Sequence, residues 1–176
     1  MLQHCERWSK VFRMKTLYLL RHAKSSWKDE SQADFERPLS SRGRKACVTI
    51  AKLIQDKGIE FDLALSSTAV RARQTIDLIK QLAKLRSELR YDERIYEASG
   101  ARLLDIIRQI ENDRKTVLLV GHNPGLEDLL HLLTGETQRL PTGSLAKIKL
   151  KISKWSDTDD GTAALDWIVR PKELDD

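Results

Sequence analysis

Apolar residues follow two different periods along this chain of 176 residues, and the two periods alternate. Short continuous apolar runs, such as "TLYLL" at 16–20 and "TVLLVG" at 116–121, are typical of strands that are buried on both faces of a sheet. Longer segments carry apolar residues three and four positions apart, which is typical of helices with one buried face. The predicted strands cover 16–20, 61–67, 116–121, 144–152 and 164–171. The predicted helices cover 39–58, 68–85, 99–112 and 123–135.

Capping residues stand at the ends of several of these helices. Ser67 or Thr68 could cap the second helix, and Ser99 could cap the third. Asn123 stands at the expected start of the fourth helix, and Gly135 at its expected end. These residues support the boundaries that the apolar periods indicate.

The order of the elements predicts the fold class. Strands and helices alternate until the fourth helix, with one short unassigned element between the second and third helices, and two strands follow. This order favours an α/β domain, a three-layer α/β/α sandwich with a mostly parallel sheet and an antiparallel pair near the end. The segment 144–152 alternates apolar and polar residues, so we expect an edge or half-exposed strand there.

The first thirteen residues differ from the remainder. Apolar residues at helical spacing alternate there with basic ones, which leaves three interpretations: an amphipathic appendage, a basic targeting segment, or a start placed upstream of the true one at Met14. We therefore divide the chain into an N-terminal extension of unknown role, 1–13, and a single domain, 14–176.

Composition limits the partners and the compartment. The net charge of +5 is a mild bias that suits an anionic substrate. Basic and aromatic residues are not interleaved as in nucleic-acid-binding modules, and no apolar run approaches the ~20 residues of a membrane span. The two cysteines show no paired spacing, which argues against a disulfide framework or a zinc site and favours a reducing compartment, the cytoplasm.

Reactive side chains follow three of the predicted strands. Arg21 and His22 come directly after "TLYLL", Arg71 lies one turn into the helix after the second strand, and His122 follows "TVLLVG". Each of these residues alone is most often structural or solvated. Because ligands bind at the carboxyl ends of strands in such sheets, their joint placement predicts one active site. A metal site is the competing functional interpretation, and it is weak because no Asp or Glu ligand accompanies the two histidines.

Two arginines and two histidines suit phosphoryl transfer. The guanidinium fork matches phosphate oxygens, and helix N-termini near Thr68 and Asn123 would add to an anion pocket. A neutral imidazole can attack phosphorus, and a protonated second imidazole could stabilise the charge of the transferring group. This chemistry requires no metal and no cofactor.

Four motifs, in this order, resemble the histidine phosphatase (phosphoglycerate mutase-like) superfamily. They are "LLRHAKSSW", "RPLSSRGRKA", "SSTAVRARQT" and "GHNP", and the resemblance covers roughly 14–173. Ala23 stands where the superfamily usually has glycine. The short length and the style of the motifs are similar to the compact SixA-like phosphohistidine phosphatase branch.

The resemblance implies roles for the candidate residues. His22 would be the nucleophile that forms a phosphohistidine, and Arg21, Arg71 and His122 would bind the phosphoryl group. Glu97 lies where relatives often carry a general acid, although it could equally be an exposed loop carboxylate. Three further residues are weaker candidates for contact with substrate, with Ser144 expected near the pocket rim: Lys24, Ser25 and Ser144.

The resemblance also implies a substrate class. The segment between the second helix and the strand at 116–121 is short and contains the third helix, so little chain remains for a lid. An open pocket favours a phosphate displayed on a protein, in first place phosphohistidine. Two alternatives stay open: a small-molecule phosphomonoesterase on the same scaffold, and a non-catalytic phosphate-binding module.

Overall fold

The computed structural model describes residues 14–173, so the predictions for 1–13 and for the last three positions of the domain lie outside the described residues. The strands are β1 (Lys15–Arg21), β2 (Leu63–Ser66), β3 (Glu88–Tyr91), β4 (Thr116–Gly121), β5 (Leu145–Leu150) and β6 (Ala163–Val169). The helices are α1 (Ser41–Asp56), α2 (Val70–Leu82), α3 (Gly100–Arg108) and α4 (Gly125–Thr134). No helix between residues 14 and 173 is long and apolar enough to cross a bilayer.

The strands form one sheet in the order β3-β2-β4-β1-β5-β6. Neighbours from β3 to β1 are parallel, and the pairs β1–β5 and β5–β6 are antiparallel, which confirms the predicted mostly parallel sheet. The unassigned short element is β3, an edge strand of sequence "ELRY" with no fully buried residue and therefore no apolar run. Of the two alternatives for 144–152, the half-exposed strand is confirmed and the edge position is not, because β5 lies between β1 and β6 and carries Lys147 and Lys149 on its less buried face.

Two helices cover each face of the sheet. Tyr18 and Leu20 of β1 pack in one core cluster with residues of α1 and α2. Leu17 and Leu19 of the same strand pack in a second cluster with residues of α3 and α4. A strand covered on both faces must be apolar at every position, which explains the continuous run "TLYLL".

Not every predicted cap is used as a cap. Ser99 accepts a hydrogen bond from the Arg102 amide (3.2 Å) and caps α3 as predicted. Ala69 occupies the N-cap position of α2, where Ser67 or Thr68 was predicted. Pro124 occupies the N-cap position of α4, where Asn123 was predicted. The Ser67 hydroxyl lies instead 2.8 Å from Nε2 of His122. Ser67, a residue type suited to capping, therefore contacts a side chain at the strand ends instead.

Gly43 allows α1 to pack against the chain segment that follows β1. A Cβ atom at this position would overlap the carbonyl oxygen of Lys24. The amide and the hydroxyl of Ser40 donate to that same oxygen at 2.9 Å each. The glycine of "SSRG" is thus required by a close backbone approach that fixes the segment beginning at Arg21.

We expect Gly43→Ala to lower the free energy of unfolding by about 1–3 kcal/mol, because the new methyl group must push two backbone segments apart. Urea denaturation measures the effect. Arg44→Ala, at the exposed next position, is the matched control and should change stability by less than about 0.5 kcal/mol. Equal midpoints for the glycine variant and the wild type would contradict the close approach.

Candidate active site

The candidate site lies at the carboxyl ends of β1, β2 and β4. Arg21 is the last residue of β1, Gly121 is the last residue of β4, and the His22 amide donates to the Gly121 carbonyl (3.1 Å). His22 and His122 therefore leave two adjacent strands side by side, and their ring centroids lie 5.0 Å apart. Arg71, the second residue of α2, reaches both rings. The four residues predicted to meet at this sheet edge do lie there.

The orientation of the His22 ring is fixed on both sides. Its Nδ1 atom lies 2.8 Å from the carbonyl oxygen of Ala23, and because a carbonyl only accepts, Nδ1 carries the proton. Nε2 therefore holds a lone pair, and Arg71 Nε donates to it at 3.2 Å. The Ala23 amide in turn donates to the Thr75 hydroxyl (3.0 Å), which ties this segment to α2. The ring presents the unprotonated Nε2 to the site.

The electrostatic surroundings keep His22 neutral. Burial, assisted by the cations of Arg71 and Arg21, lowers its pKa to about 4. A neutral imidazole is the form that can attack phosphorus, so at physiological pH His22 is in the form that a nucleophilic role would require.

His122 is also neutral in the ligand-free site. Burial is the main cause that lowers its pKa to about 3, and His22 and Arg71 add to the effect. Nδ1 of His122 lies 3.4 Å from Arg71 Nη2, which can only donate, so Nδ1 holds the lone pair. The proton of His122 is therefore on Nε2, which lies 2.8 Å from the Ser67 hydroxyl. The sequence prediction of a protonated second histidine does not describe this free state. A bound phosphate dianion would raise the pKa of His122 and favour the imidazolium.

Arg71 binds an acidic side chain that the sequence analysis missed. Its Nη2 donates to Asp34 Oδ2 at 2.8 Å, and its Nη1 donates to the Asp34 carbonyl at 2.5 Å. Although partial burial works to raise it, hydrogen bonds from Tyr96 and Arg71 hold the pKa of Asp34 below its usual value. Asp34 begins a short 3-10 turn between β1 and α1, where no spacing signal could have marked it.

Tyr96 is the second missed residue. Its ring packs edge-on against His122, with centroids 5.4 Å apart, and its hydroxyl donates to Asp34 Oδ2 at 3.0 Å. Tyr96 follows a short 3-10 turn after β3, and because β3 itself was not recognised, nothing in the sequence placed this turn beside the histidines.

Arg21 offers a further donor to a ligand. Its Nη1 donates to the Leu140 carbonyl at 2.9 Å. Its Nε is buried and has no hydrogen-bond partner within residues 14–173. A buried unpaired donor is costly, and an anion placed beside it would satisfy it.

The weaker candidates lie in different places. The Ser25 hydroxyl accepts from Arg37 Nη2 (2.9 Å), and Arg37 also binds Asp34, so Ser25 supports the loop at the site. Ser144 is fully buried directly before β5, and its carbonyl accepts from the Arg21 amide (3.1 Å). The expected rim position of Ser144 is therefore wrong, because the residue is fully buried beside Arg21, where β5 pairs with β1. Lys24 is exposed.

Glu97 is exposed and makes no hydrogen bond or ion pair with the described part of the chain. It follows Tyr96 directly and adopts a φ of 52°, a left-handed conformation that is uncommon for a residue other than glycine. The structure does not bring its carboxylate into contact with the histidines or arginines. Its role as a general acid stays a prediction.

The arrangement can bind and transfer a phosphoryl group. It combines an oriented neutral imidazole, two guanidinium groups and a second imidazole at one sheet edge. Within residues 14–173, no three His, Cys, Asp or Glu side chains are grouped so that they could hold a metal ion.

A titration can check the protonation state of both rings. We expect NMR spectra of the imidazole nitrogens to show His22 and His122 neutral from pH 8 down to about 5, because burial and nearby cations oppose the positive form. Protonation should occur only around pH 4 and below, in steps that belong to the coupled pair. A midpoint near the ordinary value of about 6.5 for either ring would contradict the electrostatic description.

Comparison with known proteins agrees with this geometry. The sequence profile of the histidine phosphatase superfamily (branch 1) matches residues 17–101. An uncharacterized protein of Mycobacterium tuberculosis (strain ATCC 25618 / H37Rv) is 31% identical over 157 residues, which cover 83% of this chain and 96% of the relative. The SixA structure from Agrobacterium tumefaciens is 31% identical, has a TM-score of 0.77, and is matched over 89% of this chain and 98% of its own.

A structure of the protein histidine phosphatase SixA complexed with tungstate shares the fold. Its TM-score is 0.79 at 21% identity, with 90% of this chain and 99% of that chain covered. Together with the match to the superfamily profile and to relatives along most of their length, the arrangement of His22, Arg71 and His122 shows that this chain belongs to the histidine phosphatase superfamily, in its compact SixA-like branch.

Proposed function

We propose that this protein is a metal-independent phosphatase that uses His22 as its nucleophile and removes phosphate from phosphohistidine on a protein. Membership of the histidine phosphatase superfamily supports phosphatase activity. The observation that carries the mechanism is the His22 ring, with Nδ1–H held by the Ala23 carbonyl and the Nε2 lone pair turned toward Arg71.

The reaction proceeds in two displacements. Nε2 of His22 attacks phosphorus, a new N–P bond forms, and the bond from phosphorus to the leaving nitrogen or oxygen breaks as that atom takes up a proton from solvent or from the predicted acid Glu97. Water then attacks the phosphorus on His22, the N–P bond breaks and its electron pair returns to Nε2, and inorganic phosphate leaves as H2PO4− with the oxygen and both protons of the water. Arg21, Arg71 and a protonated His122 would stabilise the charge on the equatorial oxygens in both steps.

Two observations support a protein as the substrate. The segment between α2 and β4 is used for β3, a short 3-10 turn and α3, and α3 packs against α4 on the face of the sheet opposite to α1 and α2. It is therefore committed to the core rather than free to cover His22. The resemblance to a SixA protein histidine phosphatase, which binds the phosphate-like oxyanion tungstate, points the same way.

A substrate panel tests the proposal. The purified protein is incubated with a protein phosphorylated on histidine, with phosphoserine peptides and with p-nitrophenyl phosphate, and released phosphate is measured. We expect the phosphohistidine protein to have the highest kcat/KM. Turnover of small phosphoesters alone would favour a small-molecule phosphatase, and phosphate binding without any turnover would favour a non-catalytic module. Either result would overturn the proposal.

Asp34 occupies the donors of Arg71 that a phosphate would use. In the ligand-free site its carboxylate and carbonyl both accept from the guanidinium, so substrate must compete with them. We expect Asp34→Asn to lower the inhibition constant of inorganic phosphate by roughly three- to tenfold, because a half-exposed ion pair of about 1 kcal/mol no longer opposes binding.

The matched control for this variant is Asp29→Asn, an exposed aspartate between β1 and α1 whose carboxylate accepts from the amide and the hydroxyl of Ser31. It should leave phosphate inhibition unchanged. Weaker phosphate binding by the Asp34 variant would mean that the carboxylate orients Arg71 rather than competing for it.

A further inference from the structure

A second concave surface, which we call the basic groove, adjoins the candidate active site. It has a volume of about 410 Å³. Four cationic side chains and one acidic side chain line it: Lys24, Arg42, Lys45, Arg170 and Glu173. Ala46, Pro141 and Pro171 add apolar surface between them.

The groove is continuous with the backbone that carries the nucleophile. Lys24 follows His22 by two residues, so their Cα atoms are at most ~7 Å apart. Pro141 and Thr142 form another part of the groove wall. The residue before them, Leu140, accepts a hydrogen bond from Arg21 Nη1 through its carbonyl. The residue after them, Gly143, has its amide 3.1 Å from the carbonyls of Arg21 and His22. A ligand in the groove would therefore extend from the phosphate site.

The charges of the groove are largely uncompensated within the described chain. Lys24, Arg42 and Lys45 are exposed and form no ion pair with any residue from 14 to 173. Arg170 alone is paired, with Glu173 at 3.3 Å. Three like charges around one small concavity raise its positive potential and attract anionic groups.

The position of two of these cations is unfavourable for the helix itself. Arg42 and Lys45 lie in the first turns of α1, and the first turn contains no acidic residue. A helix N-terminus carries partial positive charge, so a cation there is unfavourable, more for Arg42 than for Lys45, because the effect falls off within the first turn. Local features that reduce stability without a structural gain are typical of functional surfaces.

The shape and composition indicate what kind of ligand fits. The cations alternate with the apolar surface of Ala46 and the two prolines, so the groove can accept a chain with both charge and nonpolar bulk. A single small phosphoester held at His22 would not extend into it. We propose that the basic groove binds an acidic segment of the phosphorylated protein substrate, close to its phosphohistidine; this inference rests on the proposed function.

Matched peptides test the proposal. Two phosphohistidine peptides are compared, identical except that Asp and Glu flank the phosphorylated residue in one and Asn and Gln in the other. We expect wild-type kcat/KM to be about tenfold higher for the acidic peptide and to fall toward that of the neutral peptide as salt increases.

The groove variant is Arg42→Gln with Lys45→Gln; Lys24 is left unchanged because it lies beside the predicted phosphate site. This variant should lose most of the preference for the acidic peptide while retaining wild-type kcat/KM for the neutral peptide and for p-nitrophenyl phosphate. The control is Lys84→Gln with Arg86→Gln, which removes two exposed cations between α2 and β3, at the opposite edge of the sheet. It should retain the preference.

The outcomes separate this proposal from the proposed function. If phosphohistidine peptides are not hydrolysed, the proposed function fails, and the groove is tested by fluorescence anisotropy with an unphosphorylated acidic peptide. An acidic partner would still be supported if the double variant Arg42→Gln with Lys45→Gln bound this peptide more weakly than the wild type did. The control double variant should bind the peptide as well as the wild type does. The acidic-segment proposal would be overturned if the wild type hydrolysed both peptides with equal kcat/KM. It would also be overturned if the groove variant lost kcat/KM equally on both peptides, or if the control variant lost as much of the preference as the groove variant.

Discussion

Replacement of His22 by alanine should lower phosphate release by about a thousandfold or more. The side chain is the nucleophile of the proposed reaction, and its unprotonated Nε2 accepts a hydrogen bond from Arg71 Nε at 3.2 Å. Acid-quenched wild-type enzyme mixed with radiolabelled substrate should carry acid-labile label on His22. The alanine variant should carry none.

A matched histidine variant separates loss of chemistry from loss of fold. His131 is exposed on α4, and His131→Ala should retain both turnover and trapped label. Circular dichroism should show native secondary structure for both variants. Label trapped on the His22 variant, or turnover within tenfold of the wild type, would contradict the assignment of the nucleophile.

Arg71→Lys should lower kcat/KM by about a hundredfold or more. A guanidinium presents a planar fork, and in this site it contacts His22 Nε2 and Asp34 while remaining close to His122. Lysine offers one point charge on a flexible chain and cannot orient the imidazole and bind phosphate oxygens together. The loss should appear with p-nitrophenyl phosphate as well as with phosphohistidine substrates.

The control for this substitution lies two residues away. Arg73 is exposed on the same helix and stacks on Tyr91, outside the group of site residues. Arg73→Lys should leave kcat/KM within about twofold of the wild type. If Arg71→Lys behaved in the same way, charge alone rather than the fork would be what the site requires.

The fold could be predicted where burial forces a pattern on the chain. β4 has the bounds that "TVLLVG" predicts, because a central parallel strand must be apolar on both faces. The edge strand β3 could not be predicted, since "ELRY" is partly exposed and carries no such pattern. The two alternatives for β5 stayed open, because half-exposure and an edge position leave the same alternation in a sequence.

The site divides in the same way. Arg21, His22, Arg71 and His122 could be found because each follows a recognisable strand and parallel strands end at one edge. Asp34 and Tyr96 lie at short 3-10 turns between the main elements, and their contacts join positions 37 and 62 residues apart in the chain. No local pattern encodes such a contact.

Local periodicity and the direction of the strands were therefore enough to predict the layers of the fold and the four residues at the strand ends. The folded arrangement was needed to show which nitrogen of His22 is free, that both histidines are neutral, and that Asp34 binds Arg71. These properties depend on distances between atoms of distant segments and on the exclusion of water around them. They exist only once the chain has folded.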